Sequence, residues 1–352
     1  MNDIPVVVVG ASGYTGAELL RLLVAHPRVH VVSVHAKTRA GEPLSTVFPQ
    51  FGGQLDLTLE PLDPSSIARR ARVAFLAMPH GEAGPTAAIL HELGMTVIDL
   101  SADFRLRSPE EHAAWYGGGN HDPQQHLRSV AVYGLPERYR DKLKDARLIA
   151  APGCYPTASI LAIAPLLEAG LVSAQDIVID AKSGVSGAGR SPALPYHFPE
   201  AGEGVRAYKI AGSHRHVPEI EQELTVAAGH PVRVMFTPHL VPMSRGILAC
   251  VYAKPTDPSR PARVYRDALV ARYSAEPLVT VLPEGQLPDT AFVRGSNRVH
   301  VTAAYDSRAE RVIALSAIDN LVKGAAGQAV QAMNCALGLP ETMGLVGGAL
   351  FP

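Results

Sequence analysis

Apolar positions along this chain follow two regimes. In the first 150 residues they form short unbroken runs. Pro5-Val6-Val7-Val8-Val9 is a β-branched block of the kind that makes a strand buried on both faces of a parallel sheet. Val73 to Met78 and Leu148 to Ala150 repeat the pattern, and Val29 to Ala36 and Thr96 to Leu100, though interrupted by polar residues, read as further strands. Between the first two strands, Leu19, Leu20, Leu23 and Val24 recur at helical spacing over Ala17 to Ala25, and His26-Pro27 ends the helix. Strand, glycine-rich turn and helix together predict an α/β domain that opens with a dinucleotide-binding unit.

The second regime begins with the strand Ile177 to Lys182. Val232 to Val241 and Gly246 to Lys254 alternate over their length and are joined through Pro242-Met243-Ser244-Arg245, which predicts an antiparallel hairpin. With further strands at Val299 to Tyr305 and Arg311 to Ala317, this argues for a second domain built on a mixed or antiparallel sheet. A final helix, about 319–338, places apolar residues 322, 326, 329, 330 and 333 on one face and is expected to return to the first domain. The Pro- and Gly-rich stretch from Gly117 to Pro136 reads as loop. The expected division is 1–150, with the closing helix added, and 151–318. No internal repeat or low-complexity segment interrupts it.

The chemistry lies in the connections. Gly10-Ala11-Ser12-Gly13-Tyr14-Thr15-Gly16 follows the first strand, with glycines spaced GxxGxxG, where backbone can approach a pyrophosphate and a helix N-terminus supplies N–H groups. The second strand ends in Lys37-Thr38-Arg39, a hydroxyl and two cations where an NAD site would be expected to place an acid. That favours a 2′-phosphate, hence NADP(H), over a merely solvated basic turn.

Cys154 stands in Ala151-Pro152-Gly153-Cys154-Tyr155-Pro156, between the strand ending at Ala150 and a helix whose first turn holds Pro156 and Thr157. A thiol at a helix N-terminus is biased toward the thiolate, yet a free cysteine is often a small buried hydrophobe, and the turn alone leaves both readings open. Cys250, in an apolar strand, and Cys335, in an Ala-rich helix, read as core. His216 precedes Pro218 and Glu219 at a helix entrance, where a histidine can act as general acid and base or simply sit in an acidic cap. Ser183 to Arg190, following Lys182, forms a glycine-rich loop that could cradle an anion, lie against a nicotinamide or be a mobile surface segment. His80 reads as a turn residue, and Arg105, just past a strand end, as an anion contact or a structural arginine.

Composition narrows the partners. The 352 residues carry 32 basic and 33 acidic side chains, a formal net charge of −1 with no long run of one sign. This leaves no electrostatic footprint for nucleic acid or an anionic membrane, and makes a small molecule the expected partner. Three cysteines without a CxxC pair fit a reducing compartment rather than a disulfide framework or zinc ribbon, so no metal is expected. Without a signal-like N-terminus or a long apolar run, a cytoplasmic protein is expected.

Five segments converge on one family. GASGYTGAELLRLL at 10–23, APGCYPTA at 151–158, KSGVSGAGR at 182–190, HRHVPEI at 214–220 and DNLVKGAAGQAVQ at 319–331 together resemble the N-acetyl-γ-glutamyl-phosphate reductases of arginine biosynthesis, within the semialdehyde dehydrogenase superfamily. The resemblance implies an N-terminal Rossmann domain, an α+β catalytic domain of glyceraldehyde-3-phosphate-dehydrogenase-like type, and a homo-oligomer, dimer or tetramer. It implies that Cys154 attacks an acyl phosphate, that NADPH reduces the resulting thioester, and that His216 moves the proton with Glu219 orienting it, His214 being the rival and otherwise a substrate contact. Gly10, Ser12, Gly13, Tyr14, Thr15 and Gly16 match the pyrophosphate loop. Thr38 and Arg39 fall where 2′-phosphate selection is expected, Gly184, Ser186 and Gly187 match the loop near the nicotinamide, Asn320 a cofactor-side position, and Arg105 a substrate-phosphate contact. Open alternatives are a reductase for the homologue one methylene longer, a cysteine hydrolase and a catalytically silent NADP-binding protein.

Overall fold

The computed structural model describes residues 3–117 and 124–351. The chain divides into two compact units, residues 1–152 with 325–347, and residues 153–324 with 348–352.

The first unit is built on β1 (Ile4–Val9), β2 (Val29–His35), β3 (Leu59–Glu60), β4 (Val73–Leu76), β5 (Thr96–Asp99), β6 (Val132–Tyr133) and β7 (Leu148–Ala150). All are parallel, in the order β3-β2-β1-β4-β5-β7-β6. β4 and β5 are buried at every position, as unbroken apolar runs require when helices cover both faces of a sheet. Around them lie α1 (Tyr14–Val24), α2 (Leu44–Val47), α3 (Pro64–Arg70), α4 (Ala83–Glu92), α5 (Pro109–Tyr116), α6 (Gln125–Arg128) and α7 (Pro136–Leu143). Start signals act as chemistry dictates at α3, where Pro64 takes the first helical position and the Asp63 carboxylate accepts from the N–H groups of Ser65 and Ser66.

The second unit carries β8 (Ile177–Gly184), β9 (Arg206–Ala207), β10 (Val234–Val241), β11 (Ile247–Ala253), β12 (Val279–Val281), β13 (Val299–Asp306) and β14 (Arg311–Ile318) in a mixed sheet ordered β12-β13-β14-β11-β8-β10-β9. Its strands alternate in burial: Ile247, Ala249, Val251 and Ala253 are buried, while Leu248, Cys250 and Tyr252 are half-buried. The buried side faces α8 (Cys154–Glu168), as the Ser316 hydroxyl of β14 shows by donating to the Ala158 carbonyl at 2.7 Å. Thirteen of the 15 residues of α8 are buried, which suits a helix apolar all round. α9 (Phe198–Ala201), α10 (Val217–Ala228) and α11 (Arg263–Tyr273) complete the unit, and α12 (Gly327–Ala336) belongs with the first.

Several expectations need correction. The 232–254 pair is not a hairpin: β8 lies between β10 and β11, parallel to one and antiparallel to the other. Alternation defines strands and faces but not neighbours, and the Pro242–Gly246 connection is long enough to pass over the end of an intervening strand. Gly184 makes room for it, since a Cβ there would lie 2.8 Å from Arg245 N. Helix α1 begins at Tyr14, so Tyr14 to Gly16 form its first turn rather than a loop. The closing segment is not helical from 319. A π turn over Val322–Ala326 precedes α12. Within the expected loop 117–136, residues 118–123 lie outside the described residues, whereas 125–128 form α6 and 132–133 form the edge strand β6. Cys250 and Cys335 are half-buried rather than core: Cys250 lies on the less buried face of β11, and Cys335 is the one residue of α12 that is not fully buried.

Candidate active site

In the first unit, β1 runs into the glycine loop and α1. Gly10, at φ +81°, packs so tightly on the end of β4 that a Cβ would lie 2.2 Å from the Ala77 carbonyl oxygen, and one on Gly16 would lie 2.5 Å from the Gly10 carbonyl oxygen. Gly13 caps α1 without a side-chain bond, and a Cβ there would meet only the Gly10 carbonyl, at 3.6 Å. The space above the first turn, rimmed by half-buried Ser12 and Thr15 and exposed Tyr14, therefore fits a dinucleotide pyrophosphate. Beyond β2, Lys37 and Thr38 are exposed, and Arg39 pairs with Glu42 at 3.1 Å.

At the end of β5 lies a cluster that sequence inspection reached only through Arg105. Asp99 is fully buried. Burial first, then the charge of Asp103, pushes its carboxyl up to about 7 against hydrogen bonds from Ser101. The Asp103 carboxylate accepts from the N–H groups of Gly81 and Gly84, each at 2.7 Å, holding the start of α4. Arg105 is buried and donates through Nε to Ala151 O at 2.8 Å and through Nη2 to Leu100 O at 2.9 Å. These two bonds tie the guanidinium to the backbone just past the ends of β5 and β7.

In the second unit, Cys154 is the first residue of α8 and is half-buried, and Gly153, the N-cap, brings no side chain to the first-turn N–H groups. The His216 ring lies against the residues flanking the thiol. A Cβ on Gly153 would fall 2.6 Å from His216 Nε2, and the Tyr155 and His216 ring centroids are 6.0 Å apart. Fully buried Glu219, in the first turn of α10, accepts from Gly153 N–H through Oε1 at 2.8 Å. Glu219 thus holds the turn that carries the cysteine.

His214 is enclosed by the rings of Tyr155, Tyr208, Phe236 and His216. Burial lowers its pKa to about 4, so it is neutral at pH 7, and Nδ1 accepts from the His216 N–H at 3.1 Å. Tyr208 donates to the Tyr155 hydroxyl at 3.0 Å, and burial raises the pKa of both phenols. Nothing in the sequence singled out Tyr208, which is distant in the chain and in an irregular segment. Asn320 and Ser186 meet: Asn320 Nδ2 donates to Ser186 Oγ at 2.9 Å while its Oδ1 accepts from Gly246 N–H at 2.8 Å. A Cβ on Gly187 would stand 3.6 Å from the same amide nitrogen.

A parallel sheet opening on a glycine loop, followed by a mixed-sheet unit with a cysteine at a helix start, defines a semialdehyde-dehydrogenase-type oxidoreductase. Residues 5–146 match the semialdehyde dehydrogenase NAD binding domain, and residues 154–320 the semialdehyde dehydrogenase dimerisation domain. The fold is similar to aspartate semialdehyde dehydrogenase II of Vibrio cholerae, with a TM-score of 0.70 at 17% identity over 95% of this chain and 98% of that one. The chain belongs to the N-acetyl-gamma-glutamyl-phosphate reductase family. It is 49% identical to the reductase of Citrifermentans bemidjiense over 99% of this chain and 100% of that one, and 50% identical to that of Geobacter metallireducens over 99% of each. Among the described residues no helix is long and apolar enough to cross a membrane.

Proposed function

We propose that this enzyme reduces N-acetyl-γ-glutamyl phosphate to N-acetylglutamate 5-semialdehyde through a thioester on Cys154, in the arginine pathway. The observation that carries the reading is Cys154 at the start of α8 with the His216 ring over Gly153 and Glu219 on its N–H. The Cys154 thiolate adds to the acyl carbonyl, forming the C–S bond, and the C–O bond to phosphate breaks with its electron pair. NADPH supplies the hydride that reduces the thioester. His216 donates a proton to the oxyanion of the thiohemiacetal and takes it back as the C–S bond breaks, returning the thiolate and releasing the aldehyde. Neutral His214 holds the His216 backbone, and Glu219 holds the turn.

For the cofactor, Ser12 to Gly16 take the pyrophosphate, Thr38 and Arg39 favour NADP over NAD, and Ser186, Gly187 and Asn320 form the nicotinamide side. Gly184 supports that loop from beneath the connection over β8. The face of the second sheet away from α8, carrying Asp180, Lys182, His239, Leu248 and Tyr252, is half-buried and mixed in character, and we assign it to a homo-oligomer contact. Three free cysteines fit a cytoplasmic enzyme.

The test is the reverse reaction. NADP⁺ reduction by N-acetylglutamate semialdehyde should require phosphate and exceed that with NAD⁺. Activity confined to the aldehyde one methylene longer would reassign the substrate, and no NADPH from either would reject the reading.

A further inference from the structure

Between β14 and α12 the chain does something an ordinary helix start does not require. Asp319 is fully buried. Its Oδ1 accepts from the N–H groups of Leu321 at 2.8 Å and Val322 at 3.1 Å, and its Oδ2 accepts from Gly295 N–H at 2.6 Å and lies 3.7 Å from Arg245 Nη1. Its carbonyl accepts from the N–H of Gly324, five residues on, at 2.9 Å. That bond closes a π turn, a widened turn that departs from regular helix geometry and is frequent at functional sites.

The widened turn carries Gly324 against the cysteine. A Cβ on Gly324 would lie 2.7 Å from Cys154 Cβ, 3.2 Å from Cys154 Cα and 3.4 Å from Ile318 Cδ1. No positive φ demands glycine here, so the requirement is space beside the cysteine. We propose that Asp319 and Gly324 are positioning residues for the Cys154 thiol: the Asp319 carboxylate pins the π turn, and the bare Cα of Gly324 fixes where Cys154 Cβ stands at the start of α8. The inference rests on Cys154 being the nucleophile.

The test uses the full-length enzyme as wild type, Gly324→Ala, Asp319→Asn and Cys154→Ser. Three readouts are taken: kcat and KM for phosphate-dependent NADP⁺ reduction, the pH profile of Cys154 alkylation by iodoacetamide without substrates, and thermal unfolding. Gly324→Ala should lower kcat on the order of 10²-fold, the effect of about 1 Å of misplacement. KM should stay within about threefold and the alkylation profile should move along the pH axis, while Tm should fall by no more than one added methyl in a packed site causes. Asp319→Asn, whose amide cannot accept from Gly295 N–H at the Oδ2 position, should shift the alkylation profile the same way with a smaller loss of kcat. Wild-type kcat and alkylation in Gly324→Ala would overturn the proposal, as would a loss of kcat that follows Tm with the alkylation profile unmoved. If Gly324→Ala does not fold, a wild-type alkylation profile in folded Asp319→Asn overturns it. Turnover surviving in Cys154→Ser would overturn the nucleophile and this inference together, whereas an inactive Cys154→Ser beside a normal Gly324→Ala would overturn this inference alone.

Discussion

Gly153→Ala isolates the contact between the cysteine turn and the histidine. At φ −69° and ψ 155° any residue is tolerated, so the backbone raises no objection to alanine. The new methyl would instead stand 2.6, 2.9 and 3.0 Å from Nε2, Cδ2 and Cε1 of His216. Carbon contacts settle near 3.5 Å, so the ring as a body must retreat by ~1 Å. A shift of that size in a reacting group costs about 10²-fold in rate, close to 3 kcal/mol of barrier. Stopped-flow NADPH formation from N-acetylglutamate semialdehyde and phosphate would give kcat, and acid quenching would show whether the thioester accumulates. Slow turnover with an intact affinity for NADP⁺ is expected. A variant turning over at the wild-type rate would refute the placement of His216 over Gly153 as the catalytic arrangement.

Glu219→Ala leaves the buried Gly153 N–H without its acceptor and should lower stability to urea by about 1–3 kcal/mol, whereas Glu219→Gln keeps an acceptor oxygen and should recover most of it. His214, with a folded pKa of about 4 against 6.5, contributes stability that is present above pH 6.5 and lost as pH falls through 4, about 3 kcal/mol in all, and His214→Asn should flatten that slope in urea unfolding followed by circular dichroism. Asp99 has the opposite sign. Its folded pKa of about 7 lies above 3.8, so its contribution is present below pH 4 and lost as pH rises to 7, about 4 kcal/mol at most. Asp99→Asn should therefore stabilise the first unit more at pH 8 than at pH 4, read by the fluorescence of Trp115, the single tryptophan. An equal effect at both pH values would contradict a protonated native Asp99.

What could be read without coordinates was whatever local chemistry determines. The unbroken runs became the parallel sheet, the glycine loop became a strand-to-helix turn with room for a pyrophosphate, and Cys154 landed at the start of a helix. What escaped depends on pairs remote in sequence. The partner of Glu219 is a backbone N–H 66 residues away, and no side-chain pattern marks such an acceptor. Gly324 looks like one more small residue on a helix face until the space beside Cys154 is known, and Asp319 like an ordinary residue before Asn320. The two carbonyls that Arg105 holds, of Leu100 and Ala151, likewise come from separate strand ends that only the folded sheet brings together.

The strand order of the second sheet also bears on how the chain reaches this state. β10 and β11 are nearly contiguous and alternate cleanly, and such neighbours zip in about 1–10 μs. In the finished sheet they never pair, because β8, on the order of fifty residues earlier, occupies the gap between them. A hairpin of β10 with β11, were it to form first, would have to open to admit β8. Conditions that slow that exchange should expose long apolar edges to other nascent chains, making misassembly during synthesis, rather than loss of the folded enzyme, the weak point of this half of the molecule.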